Sequence, residues 1–426
     1  MKYAEPFLLS ESGSTRATAY GFSSKSITRD GKTHVVWLDA VARVSARTYD
    51  HDTRSWSETF LVGEGQDNHA SPALVVDRAG YLHIAYGPHS RGWNDGRFKY
   101  ALSQQPNRAD HWQQPEETIA NFGCRATYAC LIHTPAEVDA IVYRGGDYPL
   151  SLMFQRRHPL GGWTPAQAIF RQDIVPQYTH YGGTCACGAN GTLYVAGHFY
   201  NVGAREPGGA GERAEQRSHG MAIVKTPDLG ETWTDLAGEA VRVPTPYDGR
   251  IAIPPVGENL RVAGLAVDSV GRPWTLALHP DVGHPRLLLS HWADGGWRTT
   301  DLAAHLPPGR EASDAAMTID SQDRVHLAVS AVDVEAASSD APEVHAWGHP
   351  SNDVFHLMFE PTSGTATCTQ VSRGGPAANW LPSISRSGVF HPVHRPTILY
   401  TSGVPGRTCS SPERTKVYCV LVDPTE

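Results

Sequence analysis

A short strand, a turn and a second short strand recur along this chain, and that recurrence limits the folds open to it more than any other feature. The second strand of the pair can be followed seven times: Gly31–Trp37 (GKTHVVW), Gly80–Tyr86, Glu137–Tyr143 (EVDAIVY), Gly191–Ala196 (GTLYVA), Gly271–Leu278 (GRPWTLAL), Arg324–Ser330 (RVHLAVS) and Arg395–Tyr400 (RPTILY). The turn before it has the form D-x-x-G, in which Asp and Gly supply the backbone angles a reversal needs. A later Trp recurs as Trp56, Trp112, Trp163, Trp233 and Trp297. This self-similarity, with about four strands per unit, predicts an all-β fold: a seven-bladed β-propeller of four-stranded antiparallel blades, one domain over residues 1–426. Dividing 426 by seven gives about 61 residues per unit, above the ~40–50 of compact propeller repeats. The surplus falls in loops such as Asn201–His219. A β-sandwich or parallel β-helix, the competing architectures, does not account for so long and irregular a period.

The segment Thr226-Pro227-Asp228-Leu229-Gly230-Glu231-Thr232-Trp233 is an Asp-box, S/T-x-D-x-G-x-T-W, with weaker relatives at Gly162-Trp163 and Gly296-Trp297. Its Asp and Thr tie down a hairpin and its Trp fills the space between blades. The motif is structural and carries no chemistry.

Composition narrows the function. The chain is 40% hydrophobic and 19% charged, with 41 Gly and 31 Pro, the make-up of an ordered, turn-rich protein. A formal net charge of −8 with no Lys/Arg cluster argues against nucleic acid as partner, and no apolar run spans a bilayer. A monomer is expected. Met1–Pro6 lacks the apolar core of a signal peptide, so the chain as it stands carries no export address. It reads as cytoplasmic, unless a removed leader made it secreted or periplasmic. Seven Cys without a C-x-x-C framework say nothing of redox compartment. Cys185 and Cys187, with His180 and His198 nearby, offer a structural zinc site, against which stands the commoner case of thiols buried on a strand.

Candidate site residues follow from strand geometry. Ser71–Val76 and Tyr81–Tyr86 are predicted antiparallel strands, so the start of one and the end of the next share an edge. His69 stands just before the first and His89 just after the second. The same positions in later repeats hold Tyr128 and Arg144, then His180 or Tyr181 with His198, then Arg261 and His279, and in the last Asn379, Trp380 and Arg395. At the mouth of a propeller each blade offers two such positions to one pocket, and a ring of His, Tyr and Arg is unusual for packing alone. Arg suits an anionic sugar carboxylate, held in a bidentate pair that makes the α-proton removable. Tyr or His then moves the proton. That set fits β-elimination from a uronate. No pair of carboxylates stands out for glycoside hydrolysis, and neither a nucleophile elbow nor a phosphate-cradling loop is present.

At these residues the sequence resembles the BNR-repeat polysaccharide lyases, the seven-bladed propellers that include ulvan lyases and L-rhamnose-α-1,4-D-glucuronate lyases. The segment NHASPALVVDRAGYLHIAYGPH resembles their second blade, and the spacings His69 to His89 and Tyr128 to Arg144 are similar to the family's His/His and Tyr/Arg pairs. The resemblance implies that Arg144 neutralises the C5 carboxylate, that Tyr128 is acid, base or both, and that His69 and His89 flank them. It implies Tyr181 and His198 as substrate contacts, and Arg261, His279 and Trp380 are taken with them. The implied substrate is a uronic-acid-containing polysaccharide or oligosaccharide, cut within a sulfated polymer or at a terminal rhamnose. The negative net charge disfavours a heavily sulfated polymer, and the long loop after Phe199 favours the terminal mode. No cofactor is required, although some ulvan lyases carry a structural zinc, and a structural zinc or calcium is compatible with this chain. The rival readings are a sialidase-like glycoside hydrolase, with Arg144, Arg261 and Arg395 on a carboxylate, and a non-catalytic glycan-binding propeller. The first lacks a matching acid.

Overall fold

The computed structural model describes residues 1–89, 97–119, 126–146, 150–158, 161–172, 178–202, 216–257, 259–279, 283–339, 348–404 and 414–423. Nearly all of the regular structure in them is antiparallel strand, and the helical pieces are Val334–Ser339 and the single turn Ala303–His305. The second to sixth repeats each form their own four-stranded antiparallel sheet, ordered along the chain. In the second repeat the strands are Ala73–Val76, Leu82–Tyr86, Phe98–Leu102 and Glu116–Ile119; in the third, Thr127–His133, Asp139–Gly145, Ser151–Arg156 and Gln167–Phe170. The first and last repeats instead share one ten-stranded sheet. The strand Phe7–Gly13 joins them, pairing with Arg414–Asp423 on one side and with Lys32–Asp39 on the other. The two ends of the chain are thus tied into one sheet. The long insertion at 203–215 lies outside the described residues.

Each sheet buries both faces, which is why Leu82–Tyr86 and Thr127–His133 read as continuous apolar runs rather than alternating ones. The apolar clusters lie between consecutive sheets. Cys130, Val142, Leu152 and Phe154 of the third repeat meet Val195, Phe199, Val224 and Trp233 of the fourth. Leu276 and Leu289 of the fifth meet Met317, Leu327 and Leu357 of the sixth. The Asp-box does what its sequence implies. Asp228 accepts the Thr232 backbone N–H at 2.8 Å and its hydroxyl at 2.6 Å, and Trp233 lies edge-on to Phe154 while its indole donates to Gln167.

Three of the turns, D-x-x-G at Asp77 and Asp268 and D-x-x-D at Asp320, have one construction. Asp77, Asp268 and Asp320 each accept the backbone N–H four residues on, at 2.8, 2.8 and 2.9 Å. Each also accepts from a ring six residues on, His83, Trp274 or His326. The residue three on takes the left-handed conformation, φ +96° at Gly80 and +87° at Gly271, which glycine adopts without steric cost. These turns lie at the edge opposite His69. There Asp139 accepts from His83 and His133, both at 2.7 Å, and from the Tyr100 hydroxyl.

One non-repeating segment, residues 14–25, reaches several sheets. Thr18 donates to the Leu381 carbonyl of the last repeat, the Ala19 carbonyl accepts from Ser71 of the second, and the Phe22 carbonyl accepts from Thr184 of the fourth at 3.1 Å. Arg386 of the last repeat completes the knot: its buried guanidinium donates to the Phe22 carbonyl, to those of Cys185 and Leu265 at 2.7 and 2.8 Å, and to Cys130 Sγ at 3.1 Å. Lys25 beside it is fully buried, donating to the Tyr20 carbonyl and the Ser23 hydroxyl, both at 3.0 Å.

Candidate active site

The two imidazoles meet as the strand geometry requires. Gly87 N–H donates to the Ala70 carbonyl at 3.1 Å, so the start of one strand and the end of the other lie side by side. The rings of His69 and His89 stack with centroids 3.9 Å apart. Asp67, two residues before His69, holds both. Its Oδ1 accepts the His69 backbone N–H at 2.8 Å and His69 Nδ1 at 3.0 Å, and its Oδ2 accepts His89 Nδ1 at 2.7 Å. Gln66 Oε1 also accepts the His89 backbone N–H at 3.0 Å.

This geometry sets the tautomers. An ionised carboxylate can only accept, so both Nδ1 atoms carry protons and a neutral ring keeps its lone pair on Nε2. The Asp67 carboxyl stays ionised because bonds from His69 and His89 outweigh its burial and hold it well below the usual range. Burial, helped by the Arg16 guanidinium and by His89, holds the His69 imidazole down near 4 against the pull of Asp67. His69 is therefore a neutral base at pH 7.

Tyr128 and Arg144 come from the next sheet. Thr127 pairs with Arg144 and Cys130 with Val142, so Tyr128 and Ala129 together oppose Tyr143, a β-bulge that turns the Tyr128 side chain toward the edge. Tyr128 has φ +61°, a left-handed conformation that costs a bulky residue about 1–3 kcal/mol and is kept only where the surroundings enforce it. The Arg144 guanidinium lies over its ring, 4.8 Å from the centroid, and the ring is 6.2 Å from that of His69. All four side chains of the expected set are thus in one cluster.

Three members of the cluster escaped the sequence reading. Asp67 left a signal, an acid two residues before a strand-edge His. Arg16 and Tyr20 left none, since they sit on the segment 14–25 that belongs to no repeat. Arg16 donates to the Tyr20 hydroxyl and lies 5.9 Å from its ring centroid, and Tyr20 meets Tyr128 edge-on at 4.6 Å.

The remaining candidates divide. His198 lies directly over Gly182, where any β-carbon would stand 2.2 Å from its ring. Burial, with Arg261 of the next sheet nearby, pushes its imidazole down to about 3. His279 stacks on His284 at 4.3 Å. The side chains of His180 and Tyr181 lie outside the described residues. The last repeat departs from expectation. Trp380 is fully buried with its indole donating to the Thr15 carbonyl at 2.8 Å, so it offers a sugar no surface. The Asn379 amide NH₂ faces the Asp353 carboxylate at 3.3 Å and backbone carbonyls of Asn352, Arg373 and Ala377 at 3.4 Å. Arg395 precedes Thr397–Val404, whose far end, Gly403, pairs with Ala378, so it sits at the opposite edge from Asn379. An arginine triad of Arg144, Arg261 and Arg395 on one carboxylate is thereby lost.

Among the described residues, two groups place three metal-type donor atoms within 4.8 Å of one another: Asp67, His69 and His89, and His83, His133 and Asp139. The cysteines among the described residues form no such group. Cys185 Sγ instead lies 3.5 Å from Cys130 Sγ. No helix among these residues is long and apolar enough to cross a membrane.

An ulvan lyase of Nonlabens ulvanivorans is 22% identical over 377 residues, covering 79% of this chain and 76% of that protein. An ulvan lyase of Alteromonas sp. (strain LOR) is 24% identical over 304 residues, covering 64% of this chain and 59% of that protein. Among solved structures, a PL25 ulvan lyase bound to -[GlcA(1-4)Rha3S]- superposes with a TM-score of 0.74 at 15% identity, covering 98% of this chain and 96% of the other, and so has the same fold. The sequence pattern of one family covers residues 32–305, from the first repeat to beyond the fifth, and the chain accordingly belongs to the BNR repeat-containing family.

Proposed function

We propose that this chain is a polysaccharide lyase that cleaves the L-rhamnose-α-1,4-D-glucuronate linkage by β-elimination, leaving a 4,5-unsaturated glucuronate. The observation that carries the reading is the convergence of His69, His89, Tyr128 and Arg144, from two sheets, on one edge. The curated relatives named above are ulvan lyases, and a structure of the same fold was solved with a glucuronate–rhamnose fragment. The repeats are read as seven blades around an axis, with the two outermost sharing a sheet through the N-terminal strand.

In this reading Arg144 pairs with the C5 carboxylate of the uronate. Neutralising that charge makes the C5 proton removable, because the electron pair left behind delocalises into the carboxyl group. Tyr128, under the same guanidinium, reaches the ring from the bulge. The bare Nε2 atoms of the two imidazoles supply bases whose conjugate acids Asp67 stabilises. The electron pair at C5 forms the C4–C5 double bond as the C4–O bond to rhamnose breaks, and the departing oxygen takes a proton from the same group of residues. Neither water nor a covalent intermediate is needed.

The test is incubation with rhamnose–glucuronate glycans while following ultraviolet absorbance of the new double bond. A lyase produces it, a hydrolase releases sugar without it, and a binding protein does neither. Tyr128→Phe and Arg144→Ala are expected to abolish turnover with the fold intact. Retained turnover in either removes that residue from the mechanism.

A further inference from the structure

The sequence reading gave the reacting tyrosine no partner of its own kind, yet the segment 14–25 places a second phenol against it. Tyr20 meets Tyr128 edge-on with centroids 4.6 Å apart. On its other side Tyr20 takes a bond from Arg16 Nη1 and packs on Phe22 at 5.5 Å. The segment that carries these residues is anchored independently of the cluster, through Ser71, Asn68, Thr18 and Phe22.

The chemistry of the donors gives this chain of bonds a direction. A guanidinium has donors and no acceptor, so its bond to Tyr20 occupies a lone pair of the Tyr20 oxygen. The Tyr20 proton is then left to be donated, and the phenol that its ring meets is Tyr128. The order runs from guanidinium to phenol to phenol, and every bond in it strengthens when negative charge grows on Tyr128. We propose that Tyr20, oriented by Arg16, is a positioning residue that donates a hydrogen bond to the Tyr128 oxygen and stabilises its phenolate during the reaction. This rests on the lyase reading given above, and it deepens it: the tyrosine acts from a pre-polarised site rather than as an isolated phenol. In keeping with the order of bonds, burial and the neighbouring Tyr128 push the Tyr20 hydroxyl well above its ordinary ionisation range, so Tyr20 keeps its proton. Arg16 also lies close enough to His69 to lower that imidazole, which places the guanidinium beside the base as well as behind the phenol.

Tyr20→Phe removes the one hydroxyl and keeps the ring that packs on Phe22 and Tyr128. A bond to a group that becomes charged is worth roughly a tenfold to hundredfold in rate, so kcat should fall by about that factor while KM stays within about threefold. Whichever limb of the pH–rate profile reports Tyr128 should move toward alkaline pH by about one unit or more, which a merely structural defect would not do. Spectrophotometric titration of tyrosinate, with Tyr128→Phe as the blank, should show the same displacement without substrate. Arg16→Met should reproduce part of it and Arg16→Lys should restore most. An unmoved pH limb and an unmoved tyrosinate titration in Tyr20→Phe, with a wild-type thermal midpoint, would overturn the proposal. If the wild-type chain forms no unsaturated uronate, the lyase reading falls, and the tyrosinate titration still decides whether Tyr20 donates to Tyr128.

Discussion

Replacing Asp67 by Asn strikes at the arrangement that gives the site its bases. Among the described residues the carboxylate accepts from the His69 backbone at 2.8 Å, His69 Nδ1 at 3.0 Å and His89 Nδ1 at 2.7 Å. Asn is nearly isosteric but has one acceptor oxygen and one NH₂ donor. Its oxygen can keep both His69 bonds, which leaves the NH₂ facing His89 Nδ1. Two N–H groups cannot bond, so His89 must move its proton to Nε2, and the lone pair the reaction needs is turned away. The lost bond is charge-assisted, about 1.5–3 kcal/mol, or roughly 10- to 150-fold at about 1.4 kcal/mol per decade. The Asp67 charge that would balance a developing imidazolium disappears with it. In a Ser-His-Asp triad the equivalent change lowers turnover about 10⁴-fold. Here two imidazoles share the carboxylate and one keeps its tautomer, so we expect kcat to fall about 10²- to 10³-fold, with KM within about threefold. The assay is the initial rate of unsaturated product across pH, with circular dichroism and a thermal melt to establish that the variant is folded. A folded variant with kcat within about fivefold of wild type and an unchanged pH profile would refute the tautomer argument.

Two further predictions concern stability. The His83 imidazole would be lowered by burial, but Asp139 and Asp77 raise it to about 9, so its folded value lies above its unfolded value near 6.5. Its contribution is therefore fully present below about pH 6.5 and is lost as pH rises through about 9, on the order of 3 kcal/mol in all. Urea midpoints of wild type and His83→Gln should converge between about pH 6.5 and 9, and a difference that is constant or grows with pH would show the assignment to be wrong. Arg386→Met removes the donor to the Phe22, Cys185 and Leu265 carbonyls and to Cys130 Sγ, all on different segments. Leaving buried carbonyls without a donor costs about 1–3 kcal/mol each. A loss below about 1 kcal/mol by urea titration would mean that water replaces the guanidinium freely.

What could be read in the sequence and what could not follows from how far each signal travels along the chain. Strand pairing across a tight turn is local. It fixed the shared edge of His69 and His89 and the shared edge of Tyr128 and Arg144, and Gly87 bonded to Ala70 and Thr127 paired with Arg144 are its direct consequence. The same reasoning misplaced Arg395, because that residue begins a second strand instead of ending one, and in an antiparallel pair this puts it at the other edge. Trp380 was misjudged for a different reason. The bulge of its strand, between Trp380 and Ser383, begins one residue after it, so Trp380 corresponds to Thr127 rather than to Tyr128, and the Thr15 carbonyl holds its indole inside. Bulges have no reliable sequence signature, and in this protein they decide which strand-edge residues face the site: one presents Tyr128, another begins just past Trp380. Arg16 and Tyr20 were out of reach altogether, since they precede the first repeat and are brought to Tyr128 only by contacts from 14–25 to distant sheets. Periodicity thus finds the residues that the repeat carries to the site. It is blind to those the non-repeating segment adds, and in this protein those are the ones positioned to adjust how readily the repeat's own tyrosine ionises.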